Sequence, residues 1–125
     1  MIRDLSQVLL DVENVEAASK FWQEHFGFQV VNVLTSDDED IIELGAHLDA
    51  ETTLVLQKKT HDITRTARPS LVFNSTRFDD LYEHISTSIK VGEIKEMHGL
   101  RTFTFEDLDG NVFLVKEAAQ LKFEK

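Results

Sequence analysis

Cysteine is absent from the 125 residues. That excludes disulfides, thiolate metal sites and a cysteine nucleophile, and it fits a reducing, cytoplasmic setting. Proline occurs once, at Pro69, and the five glycines are isolated from one another. No glycine-rich phosphate loop can be assembled from them. Tryptophan and tyrosine occur once each against nine phenylalanines, which directs most of the aromatic content into packing. No apolar run approaches the ~20 residues that a membrane-spanning helix needs, and the opening MIRDLSQ lacks the charged-then-apolar pattern of a signal segment. Basic residues are scarce. Lys and Arg number 13 against 23 Asp and Glu, a formal charge of −10. Such a chain repels phosphate backbones, so nucleic acid and membrane are not expected partners, and a cationic or neutral small molecule is easier to hold.

What remains is a chain with 42% apolar residues, enough for a core. Its length fits one domain that buries roughly two thirds of its unfolded surface. Leu5 to Val12 reads as a strand, with Gln7, Leu9 and Asp11 on one face and Val8, Leu10 and Val12 on the other. Asn14 is placed as the N-cap of a helix from Val15 to His25, with Ala17, Ala18, Phe21, Trp22 and His25 near one stripe and Gly27 as its stop. Phe28 to Leu34, Ile41 to Leu44 and Thr52 to Gln57 read as further strands, with an acidic turn at Ser36 to Asp40.

The polar stretch Lys58 to Pro69 reads as a connection. Ser70 to Ser75 is then a strand, and Thr76-x-x-Asp79 has the spacing of a capping box before a helical stripe of Phe78, Leu81, Tyr82, Ile85 and Ile89, ended by Gly92. Glu93 to Met97 is a short strand and His98-Gly99 a turn. Thr102 to Glu117, TFTFEDLDGNVFLVKE, is a strand, a tight turn and a returning strand. Each half therefore repeats strand, helix, strand, strand, strand. The expected boundaries are a first βαβββ module over about 1–57, a connection over 58–69, a second module over about 70–117 and a tail over 118–125, together one domain over 1–125. The fold class is α+β, two paired βαβββ modules forming a curved mixed sheet with a central cleft and the helices outside.

Two segments carry a family resemblance. Val12-x-Asn14-x-x-x-Ala18-x-x-Phe21-Trp22, followed by Phe26-Gly27-Phe28, resembles the first-module signature of the vicinal oxygen chelate superfamily. That superfamily holds glyoxalase I, extradiol dioxygenases, fosfomycin-resistance enzymes and bleomycin-resistance proteins. Phe105-x-Asp107-Leu108-Asp109-Gly110-Asn111 is similar to its closing hairpin, with Leu108 where the family usually has proline. The resemblance implies the paired βαβββ fold, often as a homodimer. It also implies that metal-dependent relatives hold a divalent ion at positions that fall here on Gln7, Val55, Ser70 and Leu114. Val55 and Leu114 have no lone pair to give, and Ser70 is a poor neutral ligand. Gln7 alone is usable, so no metal is expected.

Strand parity then selects the ligand-binding candidates: Gln7, Leu9, Asp11, Thr53, Val55, Gln57, Ser70, Val72, Leu114 and Lys116, with Glu43 as a carboxylate that can act as a base. The expected function is a metal-free binding protein of the bleomycin-resistance kind, taking a small cationic or aromatic molecule, with no cofactor. The alternative is a glyoxalase-like lyase or isomerase, or a dioxygenase-like enzyme. It requires Ni, Zn, Mn or Fe at a relocated site, built from Glu43 with His47, His61 or His98, or a metal-free base such as Glu43. A third reading is an interaction module whose cleft is filled by Leu9, Val55 and Leu114.

Overall fold

In the computed structural model the described residues are 1–35, 40–59, 69 and 71–118. Ser70, His61, the acidic turn over 36–39, most of the connection and most of the tail lie outside them. The chain divides into two compact units, Met1–Thr64 and Arg65–Lys125.

In the first unit the elements are β1 (Gln7–Val12), α1 (Val15–Phe26), β2 (Gln29–Thr35), β3 (Asp40–Gly45) and β4 (Thr53–Lys58). The sheet order is β1-β4-β3-β2, with β1 parallel to β4 and the remaining pairs antiparallel. The helix starts where Asn14 caps it: the Asn14 Oδ1 accepts from the Ala17 N–H at 2.9 Å. It stops at Gly27, whose φ of 70° is the left-handed conformation that glycine takes at least cost. From there the N–H groups of Gly27 and Phe28 donate back to the Gln23 and Trp22 carbonyls. Asn14→Ala is expected to cost about 1 kcal/mol, read as a lower urea midpoint with an unchanged slope.

The apolar side of this unit holds Leu10, Val12, Ala18, Phe21, Trp22, Leu44, Leu54 and Leu56, all buried. Alternation does the sorting. Leu54 and Leu56 face the core, while Thr53, Val55 and Gln57 take the opposite face of β4. A β-bulge between Val30 and Asn32 inserts Val31, so that Asn32 comes opposite Glu43 and Leu34 opposite Ile41.

The second unit runs β5 (Leu71–Ser75), α2 (Phe78–Ser86), β6 (Lys95–Met97), β7 (Leu100–Glu106) and β8 (Val112–Glu117), in sheet order β5-β8-β7-β6. Its core is aromatic, with Phe103, Phe105 and Phe113 fully buried beside Ile85 and Val115. The β7–β8 hairpin closes around Asp107. That carboxylate accepts from the Asp109 N–H (2.9 Å), the Asn111 N–H (2.9 Å) and the Asn111 Nδ2 (2.8 Å), and Gly110 supplies a φ of 81°.

Two expectations for this unit do not hold. The capping box at Thr76 does not form. Arg77 is the N-cap with no side-chain cap bond, its own guanidinium binds Asp80, and Asp79 is taken by Arg101. Gly92 does not end the helix either, since α2 stops at Ser86 with Thr87 as its cap. Gly92 instead lies against β7, where its N–H donates to the Thr104 carbonyl at 2.8 Å. A Cβ there would meet Thr104 Oγ1 at 2.7 Å, which gives a physical reason for glycine at that position.

Candidate functional site

The face of the first sheet opposite the core carries Gln7, Leu9 and Asp11 on β1, Thr53, Val55 and Gln57 on β4, Ile41 and Glu43 on β3, and Asn32 and Leu34 on β2. The register places Leu9 beside Val55, Val55 beside Glu43, and Glu43 beside Asn32. A cavity of about 240 Å³ lies over this face, lined by Gln7, Leu9, Asn32, Leu34, Ile41, Glu43, Val55 and Gln57.

Glu43 organises the polar end. Its Oε2 accepts from Thr53 Oγ1 at 2.5 Å and from Gln7 Nε2 at 3.2 Å. Three strands are thereby tied through one carboxylate oxygen. At the other end Gln57 Nε2 donates to Asp11 Oδ1 at 2.8 Å. Leu9, Leu34, Ile41 and Val55 make the walls apolar. Among the described residues, no Lys, Arg or His lines the cavity.

Four of the residues expected from strand parity, Gln7, Leu9, Val55 and Gln57, come together here with Glu43, the carboxylate named as a candidate base, and Thr53 and Asp11 are bonded to their edge. Val72 and Leu114 pair in the second sheet, with Lys116 between Asn74 and Thr102. Ser70 lies outside the described residues. Asn32, Leu34 and Ile41 are lining residues that the sequence reading missed. Ile41 follows from Glu43 by parity. Asn32 and Leu34 depend on the bulge, which sets how β2 registers against β3.

A second cavity of about 290 Å³ belongs to the second unit, lined by Lys90, Val91, Gly92, Thr104, Phe105, Glu106, Gly110 and Val112. Its two charges face each other, Lys90 Nζ lying 3.3 Å from Glu106. Among the described lining residues its charges are therefore paired with each other, unlike Glu43, which faces no cation there.

A charged cluster in the second unit links its elements. The Arg101 guanidinium bonds Asp79 at 2.9 and 3.0 Å and Glu117 at 2.8 Å, and sits 4.9 Å from the Phe78 ring centre. It ties α2 to β7 and β8. Hydrogen bonds from Arg101 hold both carboxyls below their ordinary values, and the guanidinium is pushed further toward its charged form. Burial acts oppositely on Asp107, raising its carboxyl despite the Asn111 and Asp109 donors. Depressed carboxyls contribute stability that is present above about pH 4–5 and is lost as the pH falls through their folded values; the raised Asp107 has the reverse sign over its own window. Glu117→Gln is therefore expected to lower the thermal midpoint at neutral pH by an amount that shrinks as the pH falls through the folded value of Glu117. A penalty that does not shrink with acidification would mean that packing, not charge, is what Glu117 supplies.

Residues 4–115 match the family model of the Glyoxalase/Bleomycin resistance protein/Dioxygenase superfamily. The chain belongs to this superfamily. An uncharacterized Bacillus subtilis (strain 168) protein, YetH, is 32% identical over 120 residues, covering 94% of this chain and all of that one. Among solved structures, TnmS3, an antibiotic binding protein from Streptomyces sp. CB03234, superposes with a TM-score of 0.81 at 21% identity, over 94% of this chain and 98% of its own. A mutant of FosX, the fosfomycin resistance protein from Listeria monocytogenes, complexed with Mn(II) and 1S,2S-dihydroxypropylphosphonic acid, superposes with a TM-score of 0.78 at 17% identity, over 95% of each chain. At such identities the likeness shows the fold. One superfamily fold thus carries an antibiotic binder and a metal complex, and the donors present decide which chemistry a member can support.

Of the four positions implied by the resemblance, two offer a divalent ion no donor, since Val55 and Leu114 are hydrocarbon side chains. Among the described residues, no group of three His, Asp or Glu side chains converges. Of the relocated set, His47 is in the loop after β3, His98 is in the turn before β7 with φ 54°, and His61 is outside the described residues.

Proposed function

We propose that this chain is a metal-free small-molecule-binding protein of the bleomycin-resistance kind. Its ligand is held on the open face of β1, β4, β3 and β2. The observation that carries the reading is the cavity around Glu43, apolar on its walls, polar at both ends and next to a position where Val55 offers nothing to a metal. The makeup is that of a ligand site, mostly apolar with a few placed polar groups. TnmS3, an antibiotic binding protein of the same fold, supports the same direction.

The protein is expected to act in the cytoplasm, for which the lack of cysteine argues, and no described helix is long and apolar enough to cross a membrane. A homodimer follows from the resemblance and is supported by β2, a sheet edge that leaves Val30, Val33 and Leu34 exposed; a sedimentation mass of one 14.3 kDa chain would count against it.

The enzyme reading is separated by metal analysis and by assay on methylglyoxal–thiol adducts. The binding-protein reading expects substoichiometric Ni, Zn, Mn and Fe and no turnover. One metal per chain together with turnover that chelation abolishes would replace it with a metal-dependent lyase.

A further inference from the structure

The amides at the Glu43 face are oriented by their bonds. Gln7 and Gln57 each commit an Nε2 hydrogen to a carboxylate, of Glu43 and Asp11 respectively. Their carbonyl oxygens accept nothing among the described residues, and neither does Glu43 Oε1, since both bonds to Glu43 fall on Oε2. The cavity therefore presents open acceptor oxygens on Gln7, Gln57 and Glu43 beside the remaining amide N–H donors, and it carries the formal negative charge of Glu43, which no cation among the described lining residues balances.

We propose that Glu43 is the specificity-determining residue of this cavity, and that the ligand is an organic cation bearing an N–H donor group, an ammonium or guanidinium on an apolar body. The inference rests on the binding reading above and narrows it. Glu43 Oε1 takes the charged donor, and the carbonyls of Gln7 and Gln57 take further donors. Val55, Ile41 and Leu34 pack against the body. Gln7 and Thr53 are positioning residues, which hold the carboxylate in place before the ligand arrives and so reduce the ordering cost of binding. A carboxylate ligand is disfavoured at this face because it would be desolvated against Glu43. A neutral alcohol can satisfy one acceptor but leaves the charge unmatched.

The test uses benzylammonium, benzyl alcohol and benzoate, one apolar body with three charges, titrated into the full chain and followed by amide and side-chain NH₂ shifts in ¹⁵N spectra. Benzylammonium is expected to shift Gln7, Asn32, Glu43 and Gln57, and to bind about tenfold more tightly than benzyl alcohol, the preference that a charge-assisted hydrogen bond gives. Glu43→Gln keeps the side-chain volume and is expected to erase that preference. Glu83→Gln, on the exposed side of α2, removes the same formal charge and should leave it intact. If all three probes shift the same residues with equal affinity, the cation assignment is overturned and the cavity remains a binding site. If Glu83→Gln weakens benzylammonium as much as Glu43→Gln does, the preference is a bulk-charge effect and Glu43 does not set it. If no probe shifts these residues, the binding reading falls with it.

Discussion

Trp22→Ala is expected to destabilise the chain by about 3–5 kcal/mol. Trp22 is the only tryptophan and is 1% exposed. Its ring lies 5.6 Å from Phe21, 5.2 Å from Phe26 and 5.3 Å from Phe28, centre to centre. It is the hub through which α1 is joined to the chain that enters β2. Truncation removes the transfer free energy of the indole and leaves a void that backbone held by the Gly27 cap cannot readily close. Domains of this size are stable by only about 5–15 kcal/mol, so the variant should sit near the edge of unfolding at 25 °C. Trp22→Phe keeps an aromatic ring and should lose markedly less. Urea unfolding followed by far-ultraviolet circular dichroism reads both. A loss below about 1 kcal/mol for the alanine variant would mean that the aromatic cluster is not the core of the first unit.

Phe113→Ala is expected to have an effect of the same size, about 3–5 kcal/mol, in the second unit. Phe113 is fully buried on β8, with ring centres 5.2 Å from Phe105 and 6.0 Å from Phe73. It pairs with Leu71 on one side and Phe105 on the other, so its side chain packs three strands at once. Phe113→Leu nearly preserves apolar volume and should cost less than half as much. Leu114→Ala, one residue along on the opposite and half-exposed face, should cost far less than Phe113→Ala. That contrast between neighbours tests the register directly, because a one-residue slip of β8 would exchange the two results.

Much of the fold was legible because local chemistry and global pattern agree. Asn14 and Gly27 bound the first helix as their side-chain chemistry requires, and Asp107 to Asn111 turns the last hairpin. The misreadings at Thr76 and Gly92 share a cause. In both, a residue with a plausible local role is claimed by a tertiary partner, Asp79 by Arg101 and Gly92 by Thr104. Spacing along the chain carries no trace of those partners. The candidate site was partly legible for a similar reason. Parity gave Gln7, Leu9, Val55 and Gln57 their common face, but only the register brings Glu43 to Val55 and within reach of Gln7 and Thr53. Glu43 entered as one carboxylate among several. Its bonds make it the centre of the face.

The fold is shared by an antibiotic binding protein and by a Mn(II) complex, so the donors at the site carry the functional weight. In this chain they are one carboxylate, amides and hydrocarbon. The most direct test of that account is a shift-mapping screen of amine and aromatic fragments against the full chain in a chelating buffer. The account predicts perturbations that cluster on β1, β3 and β4 around Gln7, Glu43, Val55 and Gln57, with no metal added. Binding that appears only after a divalent metal is restored, or that maps away from Glu43, would contradict it.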